Sequence, residues 1–318
     1  MRRIFRRISE PMLRWLTTLL MICLSFSSLA QDSEVTYEVT QLSNTLTMLK
    51  ARGGNVVVSA GDDGVFLVDD QWQPMAEQLL AEVTKISDSP IRFVINTHYH
   101  ADHVGGNELI GGSGAVIIAH DNIRTRLSTD QFNYFQNATT EAWPEDALPV
   151  VTFSEGITLH LNGESARVIH VPRGHTDGDA IVYFPESDVI HMGDIYWQGL
   201  YPFIDLDGGG TIQGTIEGVK TGLELAGENT QIVPGHGPLG NRDTLQIYQD
   251  YLTGSMNRVE QLVSAGKTLE EAIAAKPTAE WDEVYGQVWI TPAQWVTFIY
   301  NSLTGVDQFT RIPVNSSD

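Results

Sequence analysis

Asn96-Thr97-His98-Tyr99-His100-Ala101-Asp102-His103 places three histidines and an aspartate within six residues. The segment follows directly on Ile91-Arg92-Phe93-Val94-Ile95, a β-branched and aromatic run that reads as a strand ending at Asn96. His98 and His100 are two apart, and alternate side chains of an extended segment share a face. A turn into helix just after residue 100 points Asp102 and His103 at an adjacent position. One short coil can then feed two metal ions, since imidazole and carboxylate are both zinc ligands.

Three further candidates each close a hydrophobic run. Gly174-His175 follows Val168-Ile169-His170-Val171, Gly193-Asp194 follows Val189-Ile190-His191-Met192, and Pro234-Gly235-His236-Gly237 follows Gln231-Ile232-Val233. Each is a polar residue at the mouth of an apolar strand, beside a glycine that permits close backbone approach. One such end is an ordinary solvent-facing terminus; four in one chain, with the histidine cluster, point to a metal centre.

Around these sites strands and helices alternate. Val35–Val39 reads as an opening strand. Val56–Ala60 and Val65–Asp69 flank Gly61-Asp62-Asp63-Gly64 as a hairpin. Residues 72–86 have helical spacing through Met75, Leu79, Leu80, Val83 and Ile86. Residues 103–110 are expected as a helix and Ala115–Ala119 as a strand, with Asp121 capping a helix through Leu127. Residues 129–149 lack periodicity and read as a loop over the site. Strands are expected at 157–161, 167–171, 180–184, 189–191 and 231–233, a helix at 211–225, and mostly helix from Arg242 onward. Many strands with interspersed helices favour two stacked sheets with helices outside. The chain divides into residues 1–30, a single domain over 31–250, and a helical extension over 251–318 packed on that domain.

The motif His98-x-His100-x-Asp102-His103, with His175, Asp194 and His236 behind it, resembles the metallo-β-lactamase superfamily across nearly all of the chain after residue 35. The resemblance implies an α+β fold, a four-layer αββα sandwich with the metals at one edge between the sheets. It implies one zinc on His98, His100 and His175, a second on Asp102, His103 and His236, and Asp194 bridging both, as in the glyoxalase II-like branch. It also implies a hydroxide shared by two zinc ions that attacks an ester, lactone, thioester or amide carbonyl of a small molecule, with Asp102 orienting it and taking a proton. Iron is the less favoured metal. Asp194 stands where the best-known zinc β-lactamases have a cysteine, and residues 195–210 contain no lysine or arginine for a substrate carboxylate. β-Lactam hydrolysis is therefore the alternative, with Arg173 or a loop group as a substitute cation; a non-catalytic metal-binding module is the rival from another class. Tyr196, Trp197, Tyr201 and Phe203 are candidates for an apolar wall, and Phe132, Tyr134, Phe135 and Trp143 for a lid. His191, His120, His160 and His170 read as structural or surface residues.

The first thirty residues read as a secretory signal: Arg2, Arg3, Arg6 and Arg7, an apolar stretch from Leu13 to Leu29, and a small-x-small site at Ser28-Leu29-Ala30. A periplasmic or secreted product without stable membrane association is expected. The chain carries 19 basic and 40 acidic residues. Removing five arginines and Glu10 with the signal leaves 14 and 39, a formal charge of −25. Such a surface repels nucleic acid. The only cysteine, Cys23, lies in the same segment, so disulfides and a thiolate nucleophile are not expected.

Overall fold

Val56–Gly61 (β3) and Gly64–Val68 (β4) pair antiparallel, and their side chains divide by period two between two apolar layers. In the computed structural model, which describes residues 36–310, Val57, Phe66 and Val68 face one core while Val56, Val58, Val65 and Leu67 face another. A strand covered on both faces is nearly continuously apolar, and this pair is apart from the buried Ser59.

The first sheet runs in the order β1 (Glu38–Gln41), β2 (Leu46–Lys50), β3, β4, β5 (Ile91–Ile95), β6 (Val116–His120), β9 (Val151–Phe153). Its β1–β4 portion is antiparallel, and β4, β5, β6 and β9 are parallel. The second sheet runs β10 (Gly156–Leu161), β11 (Glu164–His170), β12 (Ala180–Phe184), β13 (Val189–His191), β14 (Gln231–Val233), β15 (Gly240–Asn241), with β13 and β14 parallel. Met48, Val57, Phe66 and Ile95 of the first sheet pack on Val168, Val182, Phe184 and Val233 of the second. Outside the first sheet lies α1 (Ala76–Ile86), through Leu79 and Val83. Outside the second lie α5 (Ile212–Leu225), α6 (Arg242–Ser264) and α9 (Pro292–Thr304), with α7 (Leu269–Ala274) and α8 (Ala279–Tyr285) completing the C-terminal helices. The fold is thus the expected αββα sandwich with a helical C-terminal extension. Helix α6 runs unbroken across position 250, and the layer it builds with Trp295 and Phe298 of α9 rests directly on Ile181 and Ile190 of the second sheet.

Several local expectations change. The opening strand lies at Glu38–Gln41 rather than from Val35, and β2 was not foreseen. The helix expected over 103–110 is two short helices, α2 (Ala101–Val104) and α3 (Asn107–Gly112). The break falls at Gly105, where a Cβ would sit 2.2 Å from the backbone of Gln73. Helix α4 (Asp121–Leu127) is capped by His120, whose Nδ1 accepts from the Asn122 amide, not by Asp121. The loop over the site contains a hairpin, β7 (Gln131–Asn133) with β8 (Ala138–Thr140). The expected signal, residues 1–30, lies outside the described residues. Among the described residues no helix is long and apolar enough to cross a membrane.

Candidate metal centre

The sheet topology gathers the candidate residues. Strands β4 and β5 are parallel, so Asp69 and the segment from Thr97 leave the first sheet at one edge, joined by Asp69 N donating to Ile95 O at 2.8 Å. Strands β13 and β14 are parallel as well, and Asp194 and His236 leave the second sheet together. Cross-sheet bonds lock the edges: Asn55 N to Gly235 O at 2.8 Å and Ala180 N to Thr97 O at 2.8 Å. After His100 the chain enters α2, which places Asp102 and His103 opposite His236.

All seven sequence-derived candidates meet. His98, His100, His175 and Asp194 form one group of converging donor atoms, and Asp102, His103 and His236 a second, each within 4.8 Å. Asp194 reaches both: Oδ2 lies 3.4 Å from His175 Nε2 and 3.4 Å from His236 Nε2, and Oδ1 lies 3.2 Å from His103 Nε2. His236 Nε2 is 3.2 Å from Asp102 Oδ2. His98 Nε2 and Asp194 Oδ1 are buried without a hydrogen-bond partner. An unsatisfied buried polar atom costs about 1–3 kcal/mol, and two of them inside a ring of imidazoles and carboxylates fit a bound divalent cation.

The outward nitrogens are held by groups that fix which nitrogen faces inward. His98 Nδ1 is 3.0 Å from Thr97 Oγ1, His103 Nδ1 2.7 Å from Asp69 Oδ2, and His175 Nδ1 2.8 Å from Phe203 O. His100 is turned the other way, with Nε2 2.8 Å from Asp205 Oδ2 and Nδ1 2.9 Å from His175 Nε2. Tyr99 also donates to Asp205. Such partners set tautomer and ring orientation in metal sites. Sequence reasoning missed Asp205, Tyr99 and Asp69 in these roles. Only Asp69 carried a signal, as another carboxylate closing an apolar strand.

Electrostatics divides the cluster. Burial, reinforced by His103, holds His98 well below the usual imidazole value, and burial takes His175 down to about 4, so both present neutral lone pairs. Burial works against charge on His236 too, but Asp194 and Asp102 outweigh it and raise the ring to about 9. Burial opposes ionisation of Asp102, yet His103 and His236 hold it at about 2.

A cavity of about 920 Å3 opens onto Asp102, Asp194 and His236. Of the proposed apolar wall, Trp197 and Phe203 line it, whereas Tyr196 and Tyr201 are core residues bonded to Thr244 and Asp282. Of the proposed lid, Trp143 lines the cavity and Phe135 packs against Phe203 and Phe298. Arg173 lies away from the cavity, exposed and facing Asp307 at 3.9 Å. Its role as substitute cation is not supported by this position. His191 is structural, 3.0 Å from Asn55 O through Nε2. His120 stacks on His170 at 3.8 Å, and His160 is exposed.

Comparison with known proteins agrees with this geometry. The chain is 24% identical over 226 residues to a metallo-beta-lactamase type 2 of Bacillus cereus, covering 68% of this chain and 83% of that protein. It is 25% identical over 241 residues to a hydroxyacylglutathione hydrolase of Gloeobacter violaceus, covering 70% and 85%. A metallo-beta-lactamase from Pontibacter korlensis shares the fold with a TM-score of 0.57 at 18% identity, over 69% of this chain and 99% of that one. A stereoselective inverting sec-alkylsulfatase from Pseudomonas sp. shares it with a TM-score of 0.64 at 17% identity, over 83% and 50%. Residues 49–268 match the model of the metallo-beta-lactamase superfamily. With that match, the αββα layers and a dinuclear His/Asp cluster at the sheet edges, the chain belongs to the metallo-β-lactamase superfamily.

Proposed function

We propose that the chain is a dinuclear zinc hydrolase that opens an ester, lactone, thioester or amide bond in a small molecule. The observation that supports this most is that His98 Nε2 and Asp194 Oδ1, two atoms of the seven-residue donor cluster, are buried without a hydrogen-bond partner. His98, His100 and His175 would hold one ion, Asp102, His103 and His236 the other, and Asp194 both. When bound, such ions polarise a carbonyl oxygen and make hydroxide available from water near pH 7.

The chain's own groups do the rest. Asp205 accepts from His100 Nε2 and so leaves Nδ1 as a lone pair toward His175. Asp102 lines the cavity and stays ionised, so its second oxygen can orient the attacking water and receive its proton. Trp197 and Phe203 keep the wall beside the cluster apolar.

β-Lactam hydrolysis is the second reading, favoured by the similarity to the Bacillus cereus protein. Elemental analysis joined to a panel of esters, lactones, thioesters and lactams tests both. The expected result is about two zinc per chain and turnover lost to a chelator and restored by zinc. Asp102→Asn is expected to fold normally and lose at least about a hundredfold in kcat at measured, full metal occupancy. Retained metal with no hydrolysis across the panel would instead establish a binding module, and near wild-type kcat in D102N would remove the proton role.

A further inference from the structure

Four tryptophans line the cavity in front of the donor cluster: Trp72, Trp143, Trp197 and Trp289. They are not equivalent. Trp197 is buried and packs its ring on His236 at 4.3 Å. Trp289 stacks on Trp197 at 5.4 Å with planes 20° apart, extending that surface outward from the metal centre. Trp289 remains 44% exposed, and Trp72 remains 45% exposed. Two half-open indole faces are thus available on one cavity. Trp289 also belongs to the C-terminal extension, beyond the residues 49–268 that match the family model, whereas Trp72, Trp143 and Trp197 lie within them.

The cations of the cavity are unequal as well. Lys50 is paired with Glu38 at 2.5 Å, and Arg126 grips Asp177 with two bonds of 2.7 and 2.8 Å. Arg52 is exposed and has no ion pair or side-chain hydrogen bond among the described residues. Arg52 and Trp72 line the same cavity, and it is the next residue, Gly53, that adjoins the indole, since a Cβ there would fall 2.3 Å from that ring. Two residues on from Arg52, Gly54 lies against the His103 ring. In a chain of formal charge −21, an uncommitted guanidinium beside a metal centre is the local place for an anion.

We propose that the cleft selects substrates with a flat apolar body and a carboxylate, the body lying on Trp289 and Trp72 and the carboxylate on Arg52. The proposal rests on the hydrolase reading of the same centre. It makes Trp289 and Arg52 specificity-determining residues, separable from the metal ligands by substrate ratios in which general damage to the centre cancels.

Three esters serve as probes: naphthyl hemisuccinate, with ring and carboxylate; naphthyl butyrate, with the ring alone; and ethyl hemisuccinate, with the carboxylate alone. Trp289→Ala is expected to lower the kcat/KM ratio of naphthyl to ethyl hemisuccinate by about tenfold, mainly through KM, and Trp289→Phe to keep it within about threefold. Arg52→Ala is expected to lower the ratio of naphthyl hemisuccinate to naphthyl butyrate by about tenfold, and Arg52→Glu by more. Metal content is measured for every variant. Ratios equal to wild type in W289A and R52A overturn the proposal while leaving the hydrolase intact. If the wild type turns over none of the esters, the hydrolase reading fails for this class, and quenching of tryptophan fluorescence by naphthyl hemisuccinate decides. Binding weakened about tenfold in either variant then supports the recognition site, and binding equal to wild type in both rejects it.

Discussion

Asp194 sits within 3.7 Å of the Nε2 atoms of four histidines, His98, His103, His175 and His236, and burial leaves it little water. Those rings hold its carboxyl well below the usual range against the opposing pull of burial. Asp194→Ala is therefore expected to weaken zinc binding at both positions, while His236→Ala weakens chiefly one. Titration of zinc into the two metal-free variants distinguishes them. One site of wild-type affinity in D194A, with both sites disturbed in H236A, would reverse the assignment of bridge and terminal ligand. The seven donors were legible in the sequence because each sits in the dense motif or directly after an apolar strand. The residues that orient them were not. Tyr99 and Asp205 are 106 positions apart and meet only in the fold, and nothing local marks Asp205 over Asp207, the other acid of residues 195–210. Phe203 contributes through its carbonyl, which no side-chain pattern reveals.

Among elements, strands bounded by clear turn residues, such as β3 and β4 around Gly61-Asp62-Asp63-Gly64, were readable from the sequence, while others were not. Strand β2 (Leu46–Lys50) is short and lacks a turn signature as clear as that between β3 and β4, and β7 and β8 form a three-residue hairpin in which alternation has no room to show. The split between α2 and α3 follows from a close approach of Gly105 to the chain at residues 71–73, a constraint from another part of the molecule. The connection from β2 to β3 carries a similar constraint. Gly54 donates its amide to Asp102 O at 3.2 Å, and a Cβ there would fall 2.3 Å from His103 Cε1. His103 is also tied to Asp69 at 2.7 Å and has little freedom to retreat. Gly54→Ala is expected to cost roughly 1–3 kcal/mol of stability through overpacking. It should also lower zinc affinity at the Asp102, His103 and His236 position by about tenfold or more. A urea midpoint and zinc titration equal to wild type would show that the loop yields without moving the ring.

For the molecule as a whole, a metal ion would compete with protons for the same centre. In the metal-free protein the folded pKa of His236 is raised from 6.5 to about 9, so its contribution to stability is full below 6.5 and disappears as pH rises through about 9. That of Asp102 is lowered from 3.8 to about 2, so its contribution is full above 3.8 and disappears as pH falls through about 2. Their shared window, from 3.8 to 6.5, is where the chelated chain gains most from this pair. Urea midpoints of chelator-treated protein should decline between about pH 7 and about pH 10, and His236→Gln should flatten that decline. Zinc needs the neutral ring, so the stability added by zinc should grow as pH rises across the lower part of that interval. An alkaline limb unaffected by H236Q would mean that the pair does not form in the metal-free state.

The donors come from chain positions far apart: His100 and His175 are 75 residues distant, and His103 and His236 are 133. No cysteine lies among the described residues, so no disulfide closes these long loops there. Cations seated at the sheet edges would act as removable staples across them, and the entropy withheld from the unfolded chain grows with loop length. The lifetime of the folded protein would then depend on metal supply. Under scarcity the same polypeptide would open more often along the seam between its sheets and be degraded sooner, so abundance would fall together with any activity that depends on the metal.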